Sequence, residues 1–138
     1  MRGRFRLLPH TADLLLEVRG EDLADLFPLC VTALYSLLTD RRRVREKELR
    51  TLTVSGELPE DQLFLLLKEA LALFSEDRFL VRRARGKMDS SGMKIEVKGE
   101  IFDVSRHALY REIKAVTAHA LEVVKTPQGV VARFLLDV

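Results

Sequence analysis

The stretch EIKAVTAHALEVVKTPQGVVARFLLDV, Glu112 to Val138, decides how the rest of the chain is read. Two apolar runs, Ala115 to Val124 and Val130 to Leu136, flank Lys125-Thr126-Pro127-Gln128-Gly129. Within Thr126 to Gly129, proline at the second position presets φ and glycine at the fourth suits a type I turn. The β-branched residues Val116, Thr117, Val123, Val124, Val130 and Val131 favour paired strands over a short helix. Apolar residues occupy both parities of the second run, so that strand is expected to be buried on both faces. Asp137 and the terminal Val138 follow Leu136 directly. A carboxylate side chain and the α-carboxylate are thus expected one residue apart at the mouth of a buried strand.

Working outward, 138 residues are most simply one domain, 1–138, long enough for a sizeable core. Hydrophobic residues make up 47% and charged residues 32%, which places the chain among folded globular proteins rather than disordered ones. A net charge of +2 is too small to imply nucleic-acid binding by bulk charge. Cys30 is the sole cysteine, which excludes an internal disulfide and a cysteine-based zinc cluster; in an apolar helical stretch it reads as a core thiol. No run reaches membrane-spanning length and the N-terminus lacks an apolar signal core, so the cytoplasm is the expected compartment. Absence of Asn, scarcity of Gln and abundance of charge suit a thermophile.

Arg4 to Leu7 alternates as a strand, Pro9 breaks it, and Leu14 to Val18 reads as a second strand, with His10-Thr11-Ala12-Asp13 at the bend. Residues 21–39 carry an amphipathic helix on Leu23, Leu26, Phe27, Cys30, Leu34, Leu37 and Leu38, with Asp22 as cap and a kink expected at Pro28. Leu49 to Val54 is a strand candidate. Leu58-Pro59-Glu60-Asp61 opens a second helix with its stripe on Leu63, Leu66, Leu67, Ala70, Leu71 and Phe74. Phe79 to Arg85 and Met93 to Lys98 are strands around a turn at Asp89-Ser90-Ser91-Gly92; Gly99 to Tyr110 reads mainly as loop. Two helices and six or seven strands predict an α+β two-layer sandwich, with both helices on one face of a mostly antiparallel or mixed sheet.

The chain has no Walker-type loop, nucleophile elbow, His-Glu-x-x-His or Rossmann fingerprint. His10 beside Asp13 fits an acid–base pair or ligand set, and equally a structural histidine at a bend. His119, inside a run predicted to be a buried strand, fits a structural donor better than a catalyst. Lys114 precedes that run and fits an ion pair or a contact surface. Asp13 and Asp137 are the sharper pair. If the first and last strands are close, two carboxylates and the terminal oxygens form an all-oxygen set suited to calcium, magnesium or manganese rather than zinc. The alternative is that each carboxylate is satisfied by backbone N–H groups or an arginine, and the residues alone do not choose.

His10-Thr11-Ala12-Asp13, then Glu112-Ile113-Lys114-Ala115-Val116-Thr117-Ala118-His119, then Asp137-Val138 resemble, in order, spacing and overall length, the three signatures of the archease family. The resemblance covers essentially the whole chain. Ala118 stands where the family often has an aromatic residue, and 58–78 matches mainly by pattern, which bears on a partner surface rather than on the ligands. The resemblance implies a non-catalytic accessory protein of an RtcB-type RNA ligase, which joins a 3′-phosphate or cyclic phosphate to a 5′-hydroxyl in tRNA splicing and RNA repair. Such a protein promotes ligase guanylylation and multiple turnover, and meets tRNA only through the ligase. It further implies a divalent-metal site at Asp13, Asp137 and Val138, the last through a main-chain or terminal oxygen. Calcium is the expected bound ion, with manganese or magnesium possible partners in function. His10, Thr11, Lys114 and His119 are supporting or partner-contact candidates. Three other readings compete: modulation of a nucleic-acid methyltransferase, a metal-dependent hydrolase using His10 with Asp13, and RNA binding through Arg41 to Arg43 or Arg82, Arg83 and Arg85.

Overall fold

The computed structural model describes residues 4–8 and 13–138. Their elements run β1 (Arg4–Leu8), β2 (Leu14–Gly20), α1 (Leu23–Leu38), a 3-10 turn (Arg41–Arg43), β3 (Glu48–Thr53), α2 (Pro59–Asp77), β4 (Phe79–Asp89), β5 (Gly92–Ile101), β6 (Ala115–Thr126) and β7 (Gly129–Asp137). The fold is α+β, as the periodicities predict. The strands divide between two antiparallel sheets, β1-β2-β7-β6 and β3-β5-β4, instead of forming one. The helices hold the two together: α1 packs on β2 and β4, and α2 on β6, β3 and β4.

The paired runs around Pro127 form the β6–β7 hairpin, closed by Thr126 opposite Gly129. β7 then lies between β6 and β2, and Val130, Val131, Ala132, Phe134, Leu135 and Leu136 are all buried, so the expectation of two covered faces is met. Core residues from both helices (Leu26, Phe27, Leu34, Leu66, Leu67) join Leu16, Val18, Phe134 and Leu136 in one apolar cluster. Full burial of each large apolar side chain is worth about 1.5–3 kcal/mol. Tyr35, fully buried in the last turn of α1, donates its hydroxyl to the Ala70 carbonyl of α2 at 2.6 Å, which joins the two helices. Cys30 is buried in the same core, and burial pushes its thiol far above its ordinary value, so it is no nucleophile.

Asp22 caps α1 by accepting from the Asp25 N–H at 2.9 Å. Pro28 lies inside α1, where it cannot supply the N–H that the Ala24 carbonyl would otherwise accept. β4 passes close to that same carbonyl: a Cβ on Gly86 would stand 2.6 Å from the Ala24 oxygen. β4 carries a bulge at Arg82, where the register with β5 shifts between Val81 and Arg83. The carbonyl of Leu80 there projects so close to β5 that only glycine fits at position 99, since a Cβ would meet that oxygen at 1.8 Å. β5 runs on through Gly99 to Ile101, taking in the first three residues of the expected loop.

The outer face of the four-stranded sheet has a charged row. Glu17, 1% exposed, pairs across the sheet with Arg6 on β1 and Arg133 on β7. Burial pushes its carboxyl up, but hydrogen bonds from Arg6 and Arg133 outweigh that and leave it below the ordinary carboxylate value.

Candidate functional site

The last paired residues of β2 and β7 are Leu14 and Leu136. The next residues outward on those antiparallel strands are Asp13 and Asp137, so the two acids emerge side by side at one end of the sheet. Neighbouring strands lie about 4.8 Å apart. On the other flank of β7, Asp137 pairs with Ala115 of β6, and the Lys114 N–H donates to the Asp137 carbonyl at 2.7 Å. Asp13 is half-buried, whereas Asp137 and Val138 are exposed. One corner of the sheet thus gathers Asp13, Lys114, Asp137 and Val138 from three adjacent strands. Only the β2–β7–β6 order makes them neighbours, because 100 positions of sequence separate Asp13 from Lys114.

The donor atoms at this corner are carboxylate and main-chain oxygens, which suits a hard divalent cation. Among the softer candidates in the described residues, Cys30 is committed to the core and His107 to Glu100. Among the described residues, no three His, Cys, Asp or Glu side chains are placed to hold a metal ion together. A cation here would accordingly take its remaining oxygens from water, main chain or a partner.

His10 and Thr11 lie outside the described residues. His119 is not buried, contrary to the sequence expectation. The β6–β7 register jumps from Thr117–Leu135 to Glu122–Arg133, so Ala118 to Leu121 form a wide bulge opposite Phe134 alone. Ala120 takes a left-handed φ of 59°, the Thr117 hydroxyl oxygen accepts the His119 N–H at 3.0 Å, and the His119 side chain is exposed. The pattern of apolar residues continued through the run, and nothing local announced the extra residues.

A second cluster escaped the sequence reading. Glu100, 2% exposed, takes hydrogen bonds from the Arg106 guanidinium and from the Arg45 N–H at 2.8 Å. The ring of His107 stands 2.9 Å from Oε2, the oxygen that also accepts the Arg45 N–H. The Asp103 N–H donates to His107 Nδ1 at 2.9 Å, so the ring proton sits on Nε2 and points at Glu100. Burial pushes the Glu100 carboxyl up, but Arg106, the Arg45 N–H and His107 reverse that and bring it to about 2. Gly99, a glycine inside a strand pattern, was the one sequence signal that this segment was special. Arg41, expected in a charged solvent loop, turns inward: its guanidinium donates to the Arg82 carbonyl, and Arg82 donates back to the Arg41 carbonyl at 2.6 Å.

The molecule is thus of the α+β class with two antiparallel sheets, and carries an acidic corner where the second and last strands meet. The family model described as the archease protein family matches residues 5–138, and the chain belongs to that family. Among curated relatives, a protein archease of Pyrococcus abyssi is 30% identical over 130 residues, covering 91% of this chain and 92% of its own. A protein archease of Sulfurisphaera tokodaii is 25% identical over 98% of this chain and 99% of its own. The solution structure of Methanobacterium thermoautotrophicum protein 1598 superposes with a TM-score of 0.78 at 26% identity, covering 97% of this chain and 98% of that one.

Proposed function

We propose that this archease-family protein is a non-catalytic activator of an RtcB-type RNA ligase, promoting guanylylation and turnover of the ligase in tRNA splicing and RNA repair. Family membership over nearly the whole chain supports the accessory role. The observation that carries the mechanism is the adjacency of Asp13 and Asp137 at the ends of paired strands, with Lys114 held to the Asp137 carbonyl. Asp13, Asp137 and a main-chain oxygen of Val138 would hold a hard divalent cation, with calcium as the bound ion and manganese or magnesium serving in function. When bound, that ion supplies positive charge where the ligase handles nucleotide phosphates. The chain's own part is positional. Strand pairing presets both carboxylates before the partner arrives, so little ordering entropy remains to be lost on docking. The exposed Asp137 and Val138 meet the partner first, and the exposed Lys114 beside them can pair with an acidic or phosphate group across the interface. The protein itself would act in the cytoplasm and need no membrane; no helix among the described residues is long and apolar enough to cross one.

The test is ligase guanylylation with GTP and divalent metal, with and without this protein. Wild type should stimulate, and Asp13→Ala or Asp137→Ala should return the rate to the level of ligase alone while the melting temperature stays within a few degrees. Full stimulation by either variant would remove the metal-site mechanism. No stimulation by wild type with a matched ligase would remove the partner assignment.

A further inference from the structure

Close to the Glu100–His107 cluster is a cleft of about 280 Å³ lined by Arg42, Arg43, Arg45 and Arg106. Four guanidinium groups around one small cleft repel one another and are kept together only if the surrounding structure holds them. Each is held. Asp40 takes two bonds from Arg42 at 3.0 Å and also accepts the Arg42 N–H. Arg43 donates through Nε to the Arg106 carbonyl at 3.0 Å. Glu100 binds the Arg106 side chain and the Arg45 main chain at once, so one buried carboxylate sets the spacing of two walls. Glu100 has almost no exposure, and Arg106 also lies 3.5 Å from the more exposed Asp103 carboxylate.

The holding bonds leave donors over. Arg43 uses Nε alone, Arg42 keeps Nη1 free, and the Arg45 guanidinium has no partner among the described residues. Arg43 and Arg45, whose guanidinium forks have no carboxylate partner among the described residues, supply the chemistry of phosphate recognition. Around the corner, the solvent face of β4 and β5 continues the positive charge with Arg83 and Arg85 beside Lys98, in a shallow cleft that also holds Glu96. Same-face residues on a strand repeat every ~6.8 Å, on the scale of successive phosphates in an extended single strand.

We propose that the four-arginine cleft binds a backbone phosphate of a single-stranded polynucleotide, with the basic face of β4 and β5 following the flanking phosphates. Glu100 acts as a positioning residue for the cleft. The inference is independent of the acidic corner at Asp13 and Asp137, and residues 102–114 run from one to the other. The low net charge of +2 does not oppose it, because the excess is local.

The experiment is fluorescence anisotropy of a labelled 12-nucleotide single-stranded RNA with the full chain, across a salt series. Its competitors are inorganic phosphate and a poly-glutamate peptide. Comparison is with Arg43→Ala/Arg45→Ala and with a charge-matched control, Lys68→Ala/Lys125→Ala. The proposal expects salt-dependent binding weakened at least tenfold in the arginine variant and less than twofold in the control. The slope of log K against log salt should fall by about 1.4, two contacts at about 0.7 each for a single strand. Phosphate should compete only at high concentration, and the peptide weakly. Equal losses in both variants would mean diffuse charge and overturn the cleft. Absence of RNA binding at low salt, or displacement by the peptide at RNA-like concentrations, would overturn it as well.

Discussion

Glu100 is a carboxylate with almost no water around it, and its charge survives because three donors face it. Its carboxyl stands at about 2 against an ordinary 4.5, so the folded state holds the ionised form in preference. The sign follows from linkage: this contribution to stability is complete above about pH 4.5 and is lost as pH falls toward about 2. Glu100→Gln should therefore cost about 3 kcal/mol at neutral pH and show a flatter loss of stability between pH 4.5 and 2. Urea denaturation at a series of pH values checks both; parallel curves for variant and wild type would show that another group carries the acid sensitivity. None of this was legible in the sequence. Glu100 stands in the segment expected to become a loop, and His107 and Arg106 become its partners only when 102–107 folds back over the end of β5. Cys30 and Leu34, by contrast, were placed in the core by helical spacing alone, because a four-turn apolar stripe has one place to go.

At the scale of elements, the helices, the hairpin and most strands followed from pattern and punctuation. Asp22 caps α1, Pro59 opens α2, and Pro127 with Gly129 sets the last turn, each where the local chemistry required it. Bulges were invisible. In β4 the extra residue at Arg82 turns that carbonyl toward Arg41, and in β6 the excursion at Ala118 to Leu121 exposes His119. A bulge is a misfit between two strands, so neither strand's own alternation reports it. Gly99 is the complement of the β4 bulge, and Gly99→Ala should be among the most damaging single substitutions in the chain. A Cβ at 1.8 Å from the Leu80 oxygen forces strand separation, which should cost more than ~3 kcal/mol. Chemical denaturation measures it; a loss below 1 kcal/mol would show that β4 can shift freely, and the bulge would lose its explanation.

For the whole molecule, two sheets tied by two shared helices should unfold as one unit. Calorimetric and van't Hoff enthalpies should agree, and Tyr35→Phe should lower stability by about 1–2 kcal/mol while the transition stays single. Two separated transitions would show that the sheets are independently stable and that the helix–helix bond is peripheral. The same assembly explains the division between what could and could not be read. The sequence by itself determined the elements, the α+β class, the buried last strand and the candidate acids, since these depend on residues a few positions apart. It did not determine that the strands form two sheets, that Asp13 and Asp137 stand on adjacent strands, or that four arginines converge over Glu100. Those are long-range pairings, chosen when both helices bury their stripes against strands far away in the chain. Only the folded structure brings together side chains that local sequence leaves unrelated.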